Sequence, residues 1–133
     1  MVEKKVIPTD LKAARQVADE LLERVETTGC GADVLFAIRL ALEEALSNAI
    51  KHGNKFDREK KISVWAELAP ELTAITVADE GGGFDPSALP DPTADENLEK
   101  PCGRGIMLMR AYMDEVVFNE RGNRVRMVKR RPA

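Results

Sequence analysis

Between Glu43 and Asn54 the chain reads EEALSNAIKHGN, and this stretch holds a carboxylate, an amide and a base at helical spacing: Glu44, Asn48 and either Lys51 or His52. On a helix, residues three and four apart lie about 5–6 Å from one another. Leu35, Ile38, Leu42, Ala45 and Ala49 recur at the same intervals and mark a buried stripe alongside. Polar groups at the margin of a core can face a ligand and still be held rigidly. The amide oxygen of Asn48 is a hard donor suited to Mg²⁺, an ion that keeps most of its waters and takes few protein ligands.

Two glycine clusters follow, DEGGGFD (Asp79 to Asp85) and GRGIMLM (Gly103 to Met109). Glycine lets backbone N–H groups approach a phosphate with no Cβ in the way. A GRG sequence at a helix start adds the positive end of the helix dipole, and Arg104 can add a bidentate contact to a phosphate oxygen. Ile75, Val77 and Asp79 share one face of a strand pattern, so Asp79 points the way its apolar neighbours point. An inward aspartate at a strand end has unused acceptors that suit the exocyclic amine of an adenine. No GxxxxGK[ST] occurs, so neither cluster is a Walker A loop.

These pieces need elements to position them. Residues 3–8 read as a leading strand. Thr9 or Asp10 can cap a helix marked by Leu11, Ala14, Val17 or Ala18, Leu21 and Val25, ending near Thr27 before Gly29 and Gly31. A second helix runs from near Asp33 to Gly53, where the glycine acts as a C-terminal stop. Ile62, Val64, Ala66 and Leu68 alternate with polar residues, and Leu72 to Asp79 completes a hairpin around Ala69-Pro70-Glu71. The segment at about 85–102 carries Pro86, Pro90, Pro92 and Pro101 among several acids, the composition of a lid or binding loop. A short helix from Gly103 to about Met113 follows, with Met107, Leu108 and Met109 directed to the core. Glu115–Asn119 and Arg124–Val128 close the chain as a hairpin around Arg121-Gly122-Asn123. The expected architecture is α+β: a two-layer α/β sandwich, a mostly antiparallel mixed sheet with helices on one face, in a single domain over residues 1–133.

Composition narrows the functional classes. The chain has 133 residues, 44% of them hydrophobic, which suffices for one core. It has no apolar run of spanning length and no apolar leader, so a cytoplasmic protein with no membrane partner is expected. His52 is the only histidine, which removes most histidine-dependent catalysis. Two cysteines, Cys30 and Cys102, fit a reduced chain better than a disulfide framework. A net charge of −3 argues against direct nucleic-acid binding. The basic run Arg124, Arg126, Lys129, Arg130 and Arg131 reads as a solvated strand edge and tail.

EEALSNAIKHG, DEGGGFD and GRGIMLM, in this order and separation, resemble the three nucleotide-binding boxes of the Bergerat-type ATPases, a superfamily that includes gyrase, histidine kinases and mismatch-repair ATPases. Within it the chain is most similar to the small anti-sigma-factor serine/threonine kinases of bacterial partner-switching systems. The resemblance spans nearly the whole chain, and the three boxes together are specific where each alone is weak.

That resemblance implies the Bergerat ATP-binding fold, with ATP between the helices and the sheet and an ATP lid at about 85–102. It implies that Asn48 coordinates Mg²⁺ bridging the phosphates, and that Glu44 is the general base for a serine hydroxyl or water. Asp79 would hold the adenine amine, with Gly81 and Gly83 shaping the floor under the base. Gly103, Arg104 and Gly105 would hold the phosphates. Histidine kinases often carry a phosphate-touching basic residue where Lys51 stands, though the serine-kinase branch need not. His52 has two readings, a helix-end residue meeting the dipole or a phosphate or lid contact. The partners implied are a STAS-type anti-anti-sigma protein as the phosphorylated substrate, a sigma factor as the sequestered one, and a homodimer mate. Two other functions stay open: a nucleotide-gated sequestering module without kinase turnover, and a detached histidine-kinase catalytic domain. The triple glycine Gly81–Gly83 exceeds the minimal DxGxG pattern, and the lid is unusually acidic for a site near phosphates.

Overall fold

A computed structural model describes residues 2–81 and 101–131, with the backbone alone for 101–104. The elements run β1 (Val2–Pro8), α1 (Leu11–Thr27), α2 (Ala32–Asn48), a π-helical turn (Ala49–Gly53), β2 (Lys61–Leu68), β3 (Leu72–Ala78), α3 (Pro101–Tyr112), β4 (Glu115–Phe118) and β5 (Arg124–Arg130). The five strands form one sheet in the order β1-β2-β3-β5-β4. Every pairing among the described residues is antiparallel, so the sheet is not mixed.

Local chemistry explains the helices. Asp10 is extended (φ −148°), and its carboxylate accepts the Lys12 N–H at 3.2 Å, so of the two candidate caps Asp10 starts α1. Gly29 and Gly31, at φ +74° and +90°, turn the chain back into α2. The register then sorts the sheet's two faces. Ile62, Val64 and Ala66 of β2 lie opposite or in line with Ile75 and Val77 of β3 and Val125 and Met127 of β5, and all are buried. They pack against Leu21 and Val25 of α1, Ile38, Leu42 and Leu46 of α2, and Ile106 and Met109 of α3. Each fully buried aliphatic chain of this kind is worth about 1.5–3 kcal/mol relative to exposure. The helices therefore cover one face, as expected.

The other face is polar. Trp65 lies between Lys4, whose Nζ is 5.1 Å from the ring centroid, and Arg124, whose Cζ is 4.8 Å away. Arg126 pairs with Glu67 (3.2 Å) and Arg130 with Glu115. The basic run is thus not a sheet edge: β5 is an interior strand, and its outward arginines are held by Trp65 and Glu67 of β2, two strands away, and by Glu115 of β4 alongside.

Three further expectations change. Helix α3 already includes Pro101, two residues before its expected start. Gly103, Arg104 and Gly105 therefore sit inside the helix, and the lid segment of 85–102 loses its last two residues to it. Residues 82–100, including Gly83 and the rest of that lid, lie outside the described residues. Met109 is buried, but Met107 is 45% exposed and faces away from the core.

Candidate functional site

The site is organised by the end of α2. Ala41, Leu42, Ala45, Leu46, Ala49 and Ile50 hold the helix to the core, which leaves Glu44 and Asn48 half-buried on its flank beside α3. Gly105 is the contact point. A Cβ there would lie 2.9 Å from Glu44 Oε2, 3.0 Å from Asn48 Nδ2 and 3.4 Å from Asn48 Oδ1. The carboxylate and the amide converge over a glycine that leaves them room.

After Asn48 the helix changes period. The Asn54 N–H donates to the Ala49 carbonyl, five residues back, at 2.8 Å, and Ala49–Gly53 forms a π turn. Such turns occur often at functional sites. The turn gives His52 and Lys51 different surroundings. His52 lines the adjoining cavity while Lys51 does not, and both are solvent-exposed.

Gly53 proves not to be a helix stop of the left-handed kind, since it is absent from the glycines at positive φ. It is glycine because Asp79 occupies the space of its side chain: a Cβ at Gly53 would collide with both carboxylate oxygens of Asp79. Gly81 in turn packs on Gly53, and a Cβ at Gly81 would overlap the Gly53 carbonyl. The Gly81 N–H donates to Asp79 Oδ1 at 2.8 Å, and the Asp79 N–H donates to the Asn123 carbonyl at 2.9 Å. Burial raises the Asp79 carboxyl above its ordinary range. The Gly81 hydrogen bond and the Lys60 charge pull the other way and are the smaller effects.

Asn48, His52, Gly53, Val77, Asp79, Ile106, Met109, Phe118 and the 122–125 segment enclose a cavity of about 100 Å³ between the helices and the sheet. Its walls are mainly apolar, and both Asp79 and Asn48 belong to its lining. Pockets for drug-sized ligands run to about 300–1,000 Å³, so this is a small slot that admits only part of such a molecule.

The structure thus brings Asn48, His52 and Asp79 to one cavity, sets Gly81 behind Asp79, and adds Glu44 and Gly105 beside Asn48. Lys51 stands apart on the surface. The backbones of Gly103 and Arg104 follow α3, and the expected phosphate contact of the Arg104 side chain lies outside the described residues. The contacts of Gly53, expected only as a helix stop, of Asn54, at the start of a charged connection, and of Asn123, in the closing turn, are not foreseen from the residues. A signal for the first existed: a glycine at the end of one box facing an aspartate that opens the next.

Among the described residues no group of three or more His, Cys, Asp or Glu side chains could hold a metal. A site built from one amide oxygen with a carboxylate nearby suits Mg²⁺, which is bound largely through water and substrate phosphates.

The chain belongs to the histidine kinase-like ATPase domain family, whose model matches residues 7–129. It is 33% identical over 106 residues to the serine-protein kinase RsbW of Bacillus subtilis, covering 73% of this chain and 65% of that protein. It is 31% identical over 99 residues to the protein of the same name from Staphylococcus aureus strain JH9, covering 68% and 62%. The matches thus span a little under two thirds of those relatives' length. A crystal structure of the RsbU and RsbW domains of a Mycobacterium tuberculosis protein superposes with a TM-score of 0.67. That superposition covers 100% of this chain and 34% of that one, at 21% identity, and supports the fold.

Proposed function

We propose that this chain is an ATP-dependent serine/threonine protein kinase that phosphorylates a STAS-type anti-anti-sigma protein and, when not so engaged, sequesters a sigma factor. The observation that carries the proposal is the shared cavity of Asn48 and Asp79, with Glu44 beside Asn48 over Gly105. The names of the relatives support the serine-kinase chemistry.

In this reading the adenine ring enters the slot and gives its exocyclic amine to Asp79. Oδ1 is engaged by Gly81, which leaves Oδ2 as the free acceptor. Val77, Ile106, Met109 and Phe118 exclude water from the ring faces. The phosphates run along α2, where Asn48 would hold Mg²⁺, which when bound neutralises phosphate charge. Phosphoryl transfer depends mainly on positioning and charge stabilisation. Glu44, one turn before Asn48, accepts the proton of the partner's hydroxyl as it attacks. His52, exposed at the cavity rim, is a contact for the ribose–phosphate portion or the lid, whereas Lys51 does not line the cavity.

The protein would act in the cytoplasm, on protein partners and not on nucleic acid; among the described residues no helix is long and apolar enough to cross a membrane. Incubation with γ-labelled ATP, Mg²⁺ and a STAS protein tests the proposal. Acid-stable label on a partner serine or threonine is expected. Nucleotide-dependent binding of the partner without label would replace the kinase by a nucleotide-gated sequestering module. Acid-labile label would point to histidine-kinase chemistry.

A further inference from the structure

Asn54 comes directly after the π turn and is 1% exposed, one of three buried polar residues among those described. All the polar groups of its side chain are engaged. Nδ2 donates to Thr9 Oγ1 (2.8 Å) and to the Lys61 carbonyl (3.1 Å), and Oδ1 accepts the Glu80 N–H (2.8 Å). The Thr9 hydroxyl spends its own proton on the Lys60 carbonyl (2.8 Å), so toward Asn54 it can only accept. That fixes the orientation of the amide. A flipped Asn54 would set its oxygen against a carbonyl and its NH₂ against the Glu80 N–H.

This one side chain ties together the β1–α1 junction, the start of β2 and the end of β3. Inserting one residue into a helical turn rotates the downstream chain by about 100° around the axis, and the π turn carries Asn54 from the helix surface into this interior position. The Glu80 N–H it holds belongs to the peptide after Asp79, while the peptide before Asp79 is held through the Asn123 carbonyl. Asp79 is therefore clamped on both sides. The Asn123 clamp is backbone, so Asn54 supplies the one side-chain hydrogen bond described to that pair of peptides.

We infer that Asn54 is a positioning residue for base recognition: it holds the Asp79–Glu80 peptide so that the Asp79 carboxylate faces the cavity and accepts the amine of an adenine. The inference rests on the nucleotide reading of the site and adds to it the residue that sets its selectivity for the base. Asn54 touches no ligand itself and acts through Asp79.

Discrimination between purines separates this role from a general contribution to stability. The probes are ATP and purine riboside triphosphate, which lacks the amine at C6, titrated into the parent, Asn54→Ala, Thr9→Val and Asp79→Asn. A hydrogen bond to a charged acceptor corresponds to about tenfold or more in affinity, so the parent should prefer ATP by that factor. In Asn54→Ala, ATP affinity should fall about tenfold while the analogue stays within about threefold of the parent, collapsing the preference. Thr9→Val is nearly isosteric and removes one of the bonds that orient Asn54. It should lower the preference by about threefold, and it carries the test if Asn54→Ala does not fold. A parent-like preference for ATP in the folded variants overturns the role of Asn54 and leaves the nucleotide reading intact. If the parent and Asp79→Asn bind both nucleotides alike, the reading of Asp79 fails and this inference falls with it.

Discussion

The carboxylate of Asp79 occupies the space that a side chain at Gly53 would fill, so the last residue of the π turn and the first residue beyond β3 are in direct contact. This contact joins two sequence boxes separated by a whole β-hairpin. It also makes Gly53 sensitive to the smallest substitution. Gly53→Ala should displace Asp79 from the cavity wall and, as overpacking at a site with a rigid backbone on one side, destabilise the fold by about 1–3 kcal/mol. Thermal unfolding and ATP titration of that variant check both effects together. A variant with unchanged melting temperature and affinity would mean that Asp79 moves freely.

The raised Asp79 pKa has a definite sign. Because the folded state holds this proton more tightly than the unfolded chain, Asp79 contributes instability at neutral pH. That penalty develops as pH rises from the ordinary value of 3.8 through the raised folded value. Asp79→Asn keeps an acceptor for the Gly81 N–H and removes the charge. The nucleotide-free variant should therefore melt above the parent at pH 7, with the gap closing toward pH 4. In the parent, affinity for ATP should fall with acidification at a higher pH than an unperturbed carboxylate would give, because the protonated acid is a poor acceptor for an amine. Melting curves and titrations across that range read both trends.

Glu44 separates chemistry from binding. It lies beside Asn48 but outside the cavity lining. Glu44→Ala should keep ATP affinity within a few-fold of the parent and lower the rate of transfer by about 10²–10⁴-fold, the usual contribution of a general base. Single-turnover transfer to the partner, measured at saturating ATP, reads this directly. A parent-like rate removes Glu44 from the mechanism.

Much of the arrangement was legible in the residues, for a physical reason. Helical and strand periods are written by burial, and the alternation of Ile62, Val64 and Ala66 or the stripe Ile38, Leu42, Ala45 reflects directly which face meets the core. The inward direction of Asp79 came from the same period, two residues beyond Val77. The features that could not be read depend on contacts distant in sequence. The π turn leaves no mark in hydrophobic spacing, so Lys51 and His52 were indistinguishable until it placed only His52 at the cavity. Gly53 has the composition of a helix stop, and only the approach of Asp79 reveals its different reason. The arginines of β5 read as an edge because nothing local says that β4 folds back outside them. The inclusion of Pro101 in α3 could not be read because proline locally suggests a break.

The central claim is that Asp79 and Asn48 hold opposite ends of one adenine nucleotide, and calorimetric titration of ATP with and without Mg²⁺ tests it most directly. Asp79→Asn should weaken ATP binding whether or not Mg²⁺ is present, by about tenfold, the worth of a hydrogen bond to a charged group. Asn48→Ala should weaken it only when Mg²⁺ is present. Unchanged ATP affinity in both variants, in both conditions, would contradict the claim.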